Sequence, residues 1–306
     1  MLALTLAWLL AAALLPHPAA ARPVLVVLNG DRADRSGPFL DDLAVLWARL
    51  TRPTPHRLAV RRVTGAEARL RALVRGRGHF ALIDSSRGAQ LLGEHKSVAA
   101  IGLLWPSFLH VVTQAKQVSA FALPLSREIV ILENARYVYD GLLEWRQENP
   151  EAAPWFSLAP RGSSPLDIAA GGTALVLFSA PAPLAGLVQA LAVEPALKVL
   201  PVSSGLLEEL RLMHPWLQAR TLPRGTYRGV RRPWPLPVRH LLLVGRRDLP
   251  ADVVKKMLLT LYGRSAALAP FNPLFGSMRR RSNAVLAELV PYHPTAVRVL
   301  RLGKGR

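Results

Sequence analysis

A proline-rich segment at residues 222–250 does most to limit how this chain can fold. Pro233, Pro235 and Pro237 exclude a helix there, because proline lacks a backbone donor and its ring clashes with a helical turn. The apolar run that follows, 238–245, is short enough to be a buried strand. A stiff connector that ends in a core strand suits a chain that has completed one structural unit and re-enters another. The segment therefore predicts a return crossing between two lobes.

Short apolar strands alternate with amphipathic helices on both sides of a break near residues 115–126. Before the break, strands are predicted at 24–28, 58–63, 80–86, 98–104 and 109–113. One helix is predicted around 40–50, and a second follows Thr64 and carries Leu70, Leu73 and Val74. After it, strands are predicted at 128–132, 173–179 and 199–202, with helices around 138–145, 184–192 and 206–217 and a loop at 148–164. Two further helices are predicted after Pro250 and at 284–289. This alternation is typical of an α/β sheet.

The order of these elements predicts two α/β lobes, because one set is interrupted by another and then resumed. The predicted boundaries are 22–118 for the first part of lobe 1, 119–230 for lobe 2, and 231–306 for the return crossing and the completion of lobe 1. Ligands of such sheets bind at the carboxyl ends of strands. Closure about crossings near 115–122 and 231–238 is expected to enclose a small ligand in a central cleft.

The N-terminal segment has the pattern of an export signal. Residues 1–15 are apolar and uncharged, and residues 16–21 read Pro-His-Pro-Ala-Ala-Ala. Such a run is too short to span a bilayer and is typical of a signal peptide cleaved before Arg22. The start lacks Lys and Arg, so an uncleaved anchor and a buried N-terminal helix stay as alternatives. We expect residues 1–21 to be a signal peptide and the protein to be periplasmic or otherwise extracytoplasmic.

Composition limits the chemistry that the protein can use. The chain has no cysteine, which excludes disulfides and thiolate metal sites, and its eight histidines are scattered singly, so no metal site is predicted. The formal net charge of +19 favours anionic ligands or partners. The alternative is that most arginines lie on solvated faces. Nucleic acid is not predicted, because aromatic residues do not alternate with basic ones.

Four short motifs in the last third of the chain resemble those of TAXI-type periplasmic solute receptors, the binding components of tripartite TRAP transporters. The motifs are Leu-Pro-Val at 200–202, Pro-Arg-Gly-Thr-Tyr-Arg-Gly at 223–229, Asp-Leu-Pro before a helix at 248–250, and Tyr-His-Pro-Thr-Ala at 292–296. The resemblance implies a two-lobed fold of the periplasmic-binding-protein kind, type II-like. It also implies a small anionic solute of the amino acid or dicarboxylate class, membrane permease subunits as partners, a monomer, and no cofactor.

The resemblance also implies which loops hold the ligand. The predicted ligand-binding residues are Asn29, Gly30, Asp31, Thr64, Gly65, Asp84, Ser85, Ser86, Asn134, Arg136, Phe178, Ser179 and Tyr227. Two loops depart from the family pattern. Its Thr-Gly-Gly-Ser-x-x-Asn reads Thr-Gly-Ala-Glu-Ala-Arg-Leu at 64–70, and its Gly-Ser-Gly-Thr reads Glu-Asn-Ala-Arg at 133–136. The resemblance therefore supports the fold more strongly than the ligand.

Several of these residues have an ordinary structural alternative. Arg136 either pairs with a ligand carboxylate or with acidic residues of its own helix. Thr64 either contacts ligand or caps the helix after it. Tyr227 and Phe178 either reach the cleft or pack in the core.

Sequence motifs for catalysis are missing. The chain contains no Gly-x-Ser-x-Gly, no Gly-x-x-x-x-Gly-Lys and no His-Glu-x-x-His. The pair Ser85–Ser86 after Asp84 is more typical of a cap or a ligand contact than of a nucleophile. We therefore expect a binding protein that delivers a carboxylate-bearing solute to a transporter. Two alternatives are a sensor or scaffold that has kept the fold but changed its pocket, and a basic envelope protein that binds anionic polymer or lipid.

Overall fold

The structure is a computed structural model of the 306-residue chain, and it describes residues 24–30, 36–50, 56–116, 118–122, 128–152, 155–172, 174–263, 265–270 and 272–302. The strands are β1 Val24–Asn29, β2 Arg57–Arg62, β3 Phe80–Asp84, β4 Val98–Thr113, β5 Ile129–Ile131, β6 Phe156–Leu158, β7 Leu175–Ala180, β8 Lys198–Leu200, β9 Gln218–Leu222 and β10 Trp234–Arg246. The helices are α1 Ser36–Leu50, α2 Ala66–Val74, α3 Ser85–Leu91, α4 Arg136–Glu148, α5 Pro165–Ala170, α6 Ala185–Val193, α7 Ser204–Met213, α8 Ala251–Leu258, α9 Ser265–Leu268, α10 Pro273–Ser277, α11 Asn283–Ala287 and α12 Pro294–Leu300. Short 3-10 turns lie at Glu133–Ala135, Pro150–Ala152 and Arg280–Ser282, and a π-helical turn extends α8 over Leu259–Gly263.

The strands form one curled sheet in the order β2-β1-β3-β10-β4-β7-β5-β6, with β8 on β4 and β9 on β10. Strands β1, β2 and β3 are parallel, as are β5, β6 and β7. Between these two parallel groups lie β10 and β4, which are antiparallel to each other. Each group therefore forms one α/β part, and the two long strands connect the parts. The predicted α/β fold class with two parts is confirmed.

Strand β4 corrects the prediction of two separate strands at 98–104 and 109–113. It runs unbroken from Val98 to Thr113 and is buried along its whole length. Pro106 lies between the two predicted segments, and proline removes a ladder hydrogen bond. In the structure Pro106 faces His240 at the point where the β4–β10 register shifts, and an irregular pairing of this kind accommodates proline. The pairing of β4 with β10 thus overrides the tendency of proline to interrupt a strand.

The return crossing is extended, as its prolines predict, but it is part of a strand and not a free connector. Pro235 and Pro237 lie within β10, where they pair with Thr221 and Ala219 of β9. The sequence analysis did not predict β9, whose five residues carry arginine and glutamine among apolar positions. A strand this short gives too few alternating positions for a period to be recognised.

The end of β3 also differs from the prediction of a strand over 80–86. The strand stops at Asp84, and α3 begins at Ser85. Asp84 caps this helix by accepting hydrogen bonds from the backbone nitrogen and the hydroxyl of Ser86, at 3.0 and 2.8 Å. Gly88 lets the helix lie close to β10, because a Cβ there would stand 2.7 Å from Leu242 Cδ2.

Other short elements were not predicted either. Strand β6 lies inside the predicted loop 148–164, and α5 begins at Pro165, just after that loop. Helix α2 begins at Ala66 with Gly65 as its N-cap residue, at a φ of 87°, so Thr64 does not cap it. Elements of three to six residues are too short for hydrophobic periodicity to identify them.

A continuous apolar core joins both faces of the sheet to the helices. His240 is buried within it at 1% exposure, and neither of its ring nitrogens has a hydrogen-bond partner in the structure. Of the helices in the described residues, none is long and apolar enough to cross a membrane. The predicted signal peptide, residues 1–21, lies outside the described residues, and the lobe boundaries stay a prediction.

Candidate functional site

A cavity of about 480 Å³ opens between the two parts of the sheet. One wall comes from α2, the end of β3 and the middle of β4 and β10. The other wall comes from the turn after β5, the start of α5, and the end of β7 with the loop after it. The volume lies in the range of small-molecule sites. The lining residues are Arg69, Asp84, Trp105, Ser107, Leu132, Asn134, Ser163, Pro165, Phe178, Ser179, Ala180, Pro181, Leu184, Arg239 and Leu241.

The register of the paired strands places Asp84, Arg239 and Ser107 of the first wall next to one another across β3, β10 and β4. Asp84 at the end of β3 pairs with Leu241 of β10, and Arg239 of β10 pairs with Ser107 of β4. Side chains two residues apart on a strand share a face. Arg239 and Leu241 therefore both face the cavity, while His240 between them faces the core.

An ion pair forms the centre of this wall. The Arg239 guanidinium contacts Oδ2 of Asp84, and both side chains are about four-fifths buried, at 20% and 18% exposure. The other carboxylate oxygen, Oδ1, accepts the two hydrogen bonds from Ser86. Protein donors therefore engage both oxygens of Asp84, and this fixes where the Arg239 charge lies.

Arg69 supplies a second guanidinium to the same wall from α2. Its Nη1 donates to the carbonyl oxygen of Val63 at 3.1 Å, which uses one of its five N–H donors. Leu70 and Leu73 of the same helix are buried in the core, whereas Arg69 is half-buried and lines the cavity.

The opposite wall is polar but uncharged. Asn134, in the 3-10 turn after β5, accepts a hydrogen bond at 3.1 Å from the backbone nitrogen of Ser179. The Ser179 hydroxyl lies 3.4 Å from that of Tyr137. Burial raises the pKa of Tyr137 above its usual value, against a smaller opposite effect of the hydrogen bond to Ser179. Tyr137 therefore stays a neutral hydroxyl at any physiological pH.

A buried hydrogen-bonded group supports this wall from behind. Tyr227 OH lies 2.8 Å from Nε2 of His110 and accepts the backbone N–H of Leu184 at 2.9 Å. Nδ1 of His110 lies 2.9 Å from the carbonyl oxygen of Phe108, which can only accept. Nδ1 is therefore the protonated nitrogen, and Nε2 accepts from Tyr227. The His110 ring stacks on Phe178, 5.0 Å between centroids, and so holds a cavity-lining ring in place.

Four of the predicted ligand-binding residues line the cavity: Asp84, Asn134, Phe178 and Ser179. Asn29 and Gly30 are buried at the end of β1, and Asp31 lies outside the described residues. Thr64 and Gly65 are exposed before α2. Ser85 is buried and accepts the backbone N–H of His240 at 3.1 Å, and Tyr227 is buried behind the second wall.

Arg136 and Ser86 lie beside the cavity, in a neighbouring groove of about 360 Å³ that also includes Asp140. Arg136 is half exposed and pairs with Glu133 at 3.8 Å and with Asp140 at 3.7 Å. The sequence offered both acidic residues as the alternative partners of Arg136; Glu133 lies in the 3-10 turn before α4 and Asp140 lies within α4. The structure does not bring Arg136 together with Asp84 and Asn134 in one cavity.

Several lining residues were missed by sequence reasoning, above all Arg69 and Arg239. Arg239 stands alone in an apolar strand, and an isolated arginine at such a position was the available signal. Arg69 lies within residues 64–70, whose sequence departs from the family pattern, and that departure was the available signal. Trp105 and Ser107 gave no signal, because both faces of β4 are buried.

A separate groove of about 600 Å³ collects basic residues away from the cavity. Lys116, Lys198, Arg231 and Arg232 line it together with Trp234. The Lys198 ammonium donates to the carbonyl oxygens of Lys116 and Val118, at 3.1 and 2.8 Å. Part of the large positive charge is therefore gathered on this face.

Residues 159–301 match the NMT1-like family. No curated protein matches the sequence. The matched region runs from the entry to α5 to the end of α12, so it includes the end of β7, the Tyr227 loop and β10.

Solved structures match over 78–94% of the chain at low identity. XAC2383 from Xanthomonas citri bound to ATP is 12% identical with a TM-score of 0.51, covering 92% of this chain and 99% of that one. The alkanesulfonate-binding protein SsuA from Xanthomonas axonopodis pv. citri bound to MOPS is 12% identical with a TM-score of 0.47, covering 94% and 86%. The reduced OxyR regulatory domain from Pseudomonas aeruginosa is 15% identical with a TM-score of 0.41, covering 78% and 96%. The likeness to XAC2383, with a TM-score above 0.5, shows that the two chains share a mixed α/β fold.

Proposed function

We propose that the protein is an exported solute receptor of the TAXI type, which captures a small carboxylate-bearing solute in the cavity between its two lobes. It then passes the solute to the membrane permease subunits of a tripartite transporter. The observation that carries this proposal is the pair of arginines, Arg69 and Arg239, on one wall of a cavity whose other wall offers neutral hydrogen-bonding groups. The motifs near the C-terminus support the assignment to receptors.

The arginines suit an anionic solute for two physical reasons. A guanidinium presents parallel N–H donors that match the two oxygens of a carboxylate. A cavity partly screened from water also strengthens the attraction between charges, relative to an exposed surface. The ion pair with Asp84 holds Arg239 in place, so binding costs less side-chain entropy than it would for a mobile arginine.

The proposed capture step is closure of the lobes about β4 and β10. These two strands are paired with each other and contribute Trp105, Ser107, Arg239 and Leu241 to the cavity, so the ligand would contact the connection between the lobes directly. Ligand contacts made to both walls favour the closed state. The solute would leave when the permease favours the open state.

The side chains of the cavity fit a protein that binds its solute without converting it chemically. Its hydroxyl groups, Ser107, Ser163 and Ser179, have no histidine or lysine beside them among the described lining residues. The nearest aromatic hydroxyl to Ser179 is Tyr137, whose pKa burial keeps high, so it is a poor base. An activated serine nucleophile requires an adjacent base.

The test is a thermal melting series of the purified protein against amino acids, dicarboxylates, hydroxy acids, keto acids and sugar acids, at moderate and high salt. A ligand at a hundred times its dissociation constant stabilises the folded state by about 2.7 kcal/mol, or roughly 5 °C. A shift with one class of acid that persists at high salt supports the receptor. No shift with any acid would reject it. Periplasmic location is checked by cell fractionation.

A sensor or scaffold for a membrane partner is the second candidate, and the basic groove around Lys198 favours it. Lys116, Lys198, Arg231 and Arg232 offer a positively charged surface that fits an acidic partner or an anionic membrane. This function predicts salt-sensitive association with membranes and no response to small acids. Vesicle sedimentation at two salt concentrations distinguishes it from the receptor.

A further inference from the structure

The charges of the cavity lie on one wall. Among the described lining residues the ionisable side chains are Arg69, Asp84 and Arg239, on α2, β3 and β10. The other wall supplies Asn134 and two serines for hydrogen bonding, and otherwise leucine, alanine, proline and phenylalanine. A ligand that spans the cavity therefore meets charge at one end and neutral groups at the other.

The charged wall can neutralise one negative charge. Its two guanidinium groups and one carboxylate sum to a single positive charge. The cavity is also poorly suited to a ligand ammonium, because both oxygens of Asp84 already have partners. Oδ1 accepts two hydrogen bonds from Ser86, and Oδ2 contacts the Arg239 guanidinium. An ammonium group would have to share Asp84 with the Arg239 guanidinium, and the two like charges repel each other.

The neutral wall makes a second ligand charge unfavourable. Leu132, Phe178 and Leu184 are each at most 8% exposed there. A carboxylate against such side chains would lose hydration without gaining an opposite charge, and this is costly unless the charge is paired. A hydroxyl or oxo group, in contrast, can accept or donate a hydrogen bond at Asn134 or Ser179.

We propose that the cavity selects a small monocarboxylate whose uncharged body carries a hydroxyl or oxo group, and that it discriminates against dicarboxylates and zwitterionic amino acids. This inference rests on the proposed receptor function and narrows its ligand class. The carboxylate lies against Arg69 and Arg239, and the carbon chain lies against the apolar residues of the second wall.

A matched series of five-carbon acids tests the selectivity by calorimetric titration. The series is 2-hydroxypentanoate, 2-oxopentanoate, pentanedioate and 2-aminopentanoate, which all have five carbons. The first two carry one negative charge, pentanedioate carries two, and 2-aminopentanoate is a zwitterion. The hydroxy or oxo acid should bind at least tenfold more tightly than the diacid and the amino acid. A diacid or amino acid that binds equally well or better overturns the inference and leaves the receptor function intact. Failure of all four, together with the wider panel, rejects both.

A charge added to the neutral wall tests the cause of the selectivity. Ser163→Arg places a guanidinium at a lining residue in a loop, and it should shift the ratio of the diacid and monoacid dissociation constants toward the diacid by about tenfold or more. Ser157→Arg is the matched control, since Ser157 is exposed on β6 and does not line the cavity. An unchanged ratio in folded Ser163→Arg, or an equal change in Ser157→Arg, overturns the charge argument.

Discussion

Replacement of Tyr227 by phenylalanine should destabilise the protein by far more than the loss of one surface hydroxyl. In the structure the Tyr227 hydroxyl donates to Nε2 of His110 and accepts from the backbone nitrogen of Leu184, and all three groups are buried. Phenylalanine keeps the ring but leaves the Leu184 backbone N–H and the His110 Nε2 without the hydroxyl that they contact. Each such group costs about 1–3 kcal/mol, and the buried hydroxyl that is removed offsets part of the loss. We expect a total of about 2–4 kcal/mol.

The assay is urea or thermal unfolding followed by circular dichroism. For a chain of this size 1 kcal/mol corresponds to roughly 2 °C, so the melting temperature should fall by about 4–8 °C. Tyr139→Phe is the matched control, because Tyr139 on α4 is half-buried and packs its ring on Phe156. Equal melting temperatures for the two variants would refute the argument that the buried hydroxyl joins the Leu184 loop to His110.

Three further changes have expected outcomes. Burial, and to a lesser extent Arg220, lowers the pKa of His240 to about 3. Between pH 6.5 and about 3, the unfolded chain therefore binds a proton that the folded protein does not. The free energy of unfolding falls as the pH falls through this range. His240→Leu should reduce this slope by up to about 1.4 kcal/mol per pH unit in urea titrations, and an unchanged slope would count against a neutral buried ring. Gly88→Ala should lower the free energy of unfolding by about 1–3 kcal/mol, because the alanine Cβ would lie 2.7 Å from Leu242. Gly186→Ala on α6 is the control: no atom lies within 4 Å of the added Cβ, so this change should be neutral or slightly stabilising. Equal unfolding midpoints for the two variants would contradict the close packing of α3. Arg69→Gln should weaken binding of the monocarboxylate at least tenfold with little change in the apo melting temperature, and unchanged affinity would remove Arg69 from the site.

The alternation of strands and helices was enough to predict the α/β class and the two parts, because it depends on hydrophobic periodicity that the chain shows clearly. Strand ends were also informative: Asp84, Asn134 and Ser179 each follow or end a strand, and all three line the cavity. Periodicity fails for elements of three to six residues such as β6 and α5.

The charged part of the cavity was beyond sequence reasoning for a different reason. Arg239 acquires its role only because β10 inserts between β3 and β4, which sets it beside Asp84. That pairing joins residues far apart in the chain, and no local pattern reports it. Arg136 was the more visible arginine, at a strand-to-helix junction, yet it pairs with Glu133 of the preceding 3-10 turn and with Asp140 of its own helix.

The position of β10 between β3 and β4 sets an order of events during folding. Until the last quarter of the chain is available, β3 has no neighbour on one side and presents a row of unpaired backbone groups, which is a risk for aggregation. The strands β5, β6 and β7 lie earlier in the chain and can pair with each other before that time. The second part is therefore expected to assemble while the first is still open, and any factor that holds the emerging chain would have to protect the edge of β3.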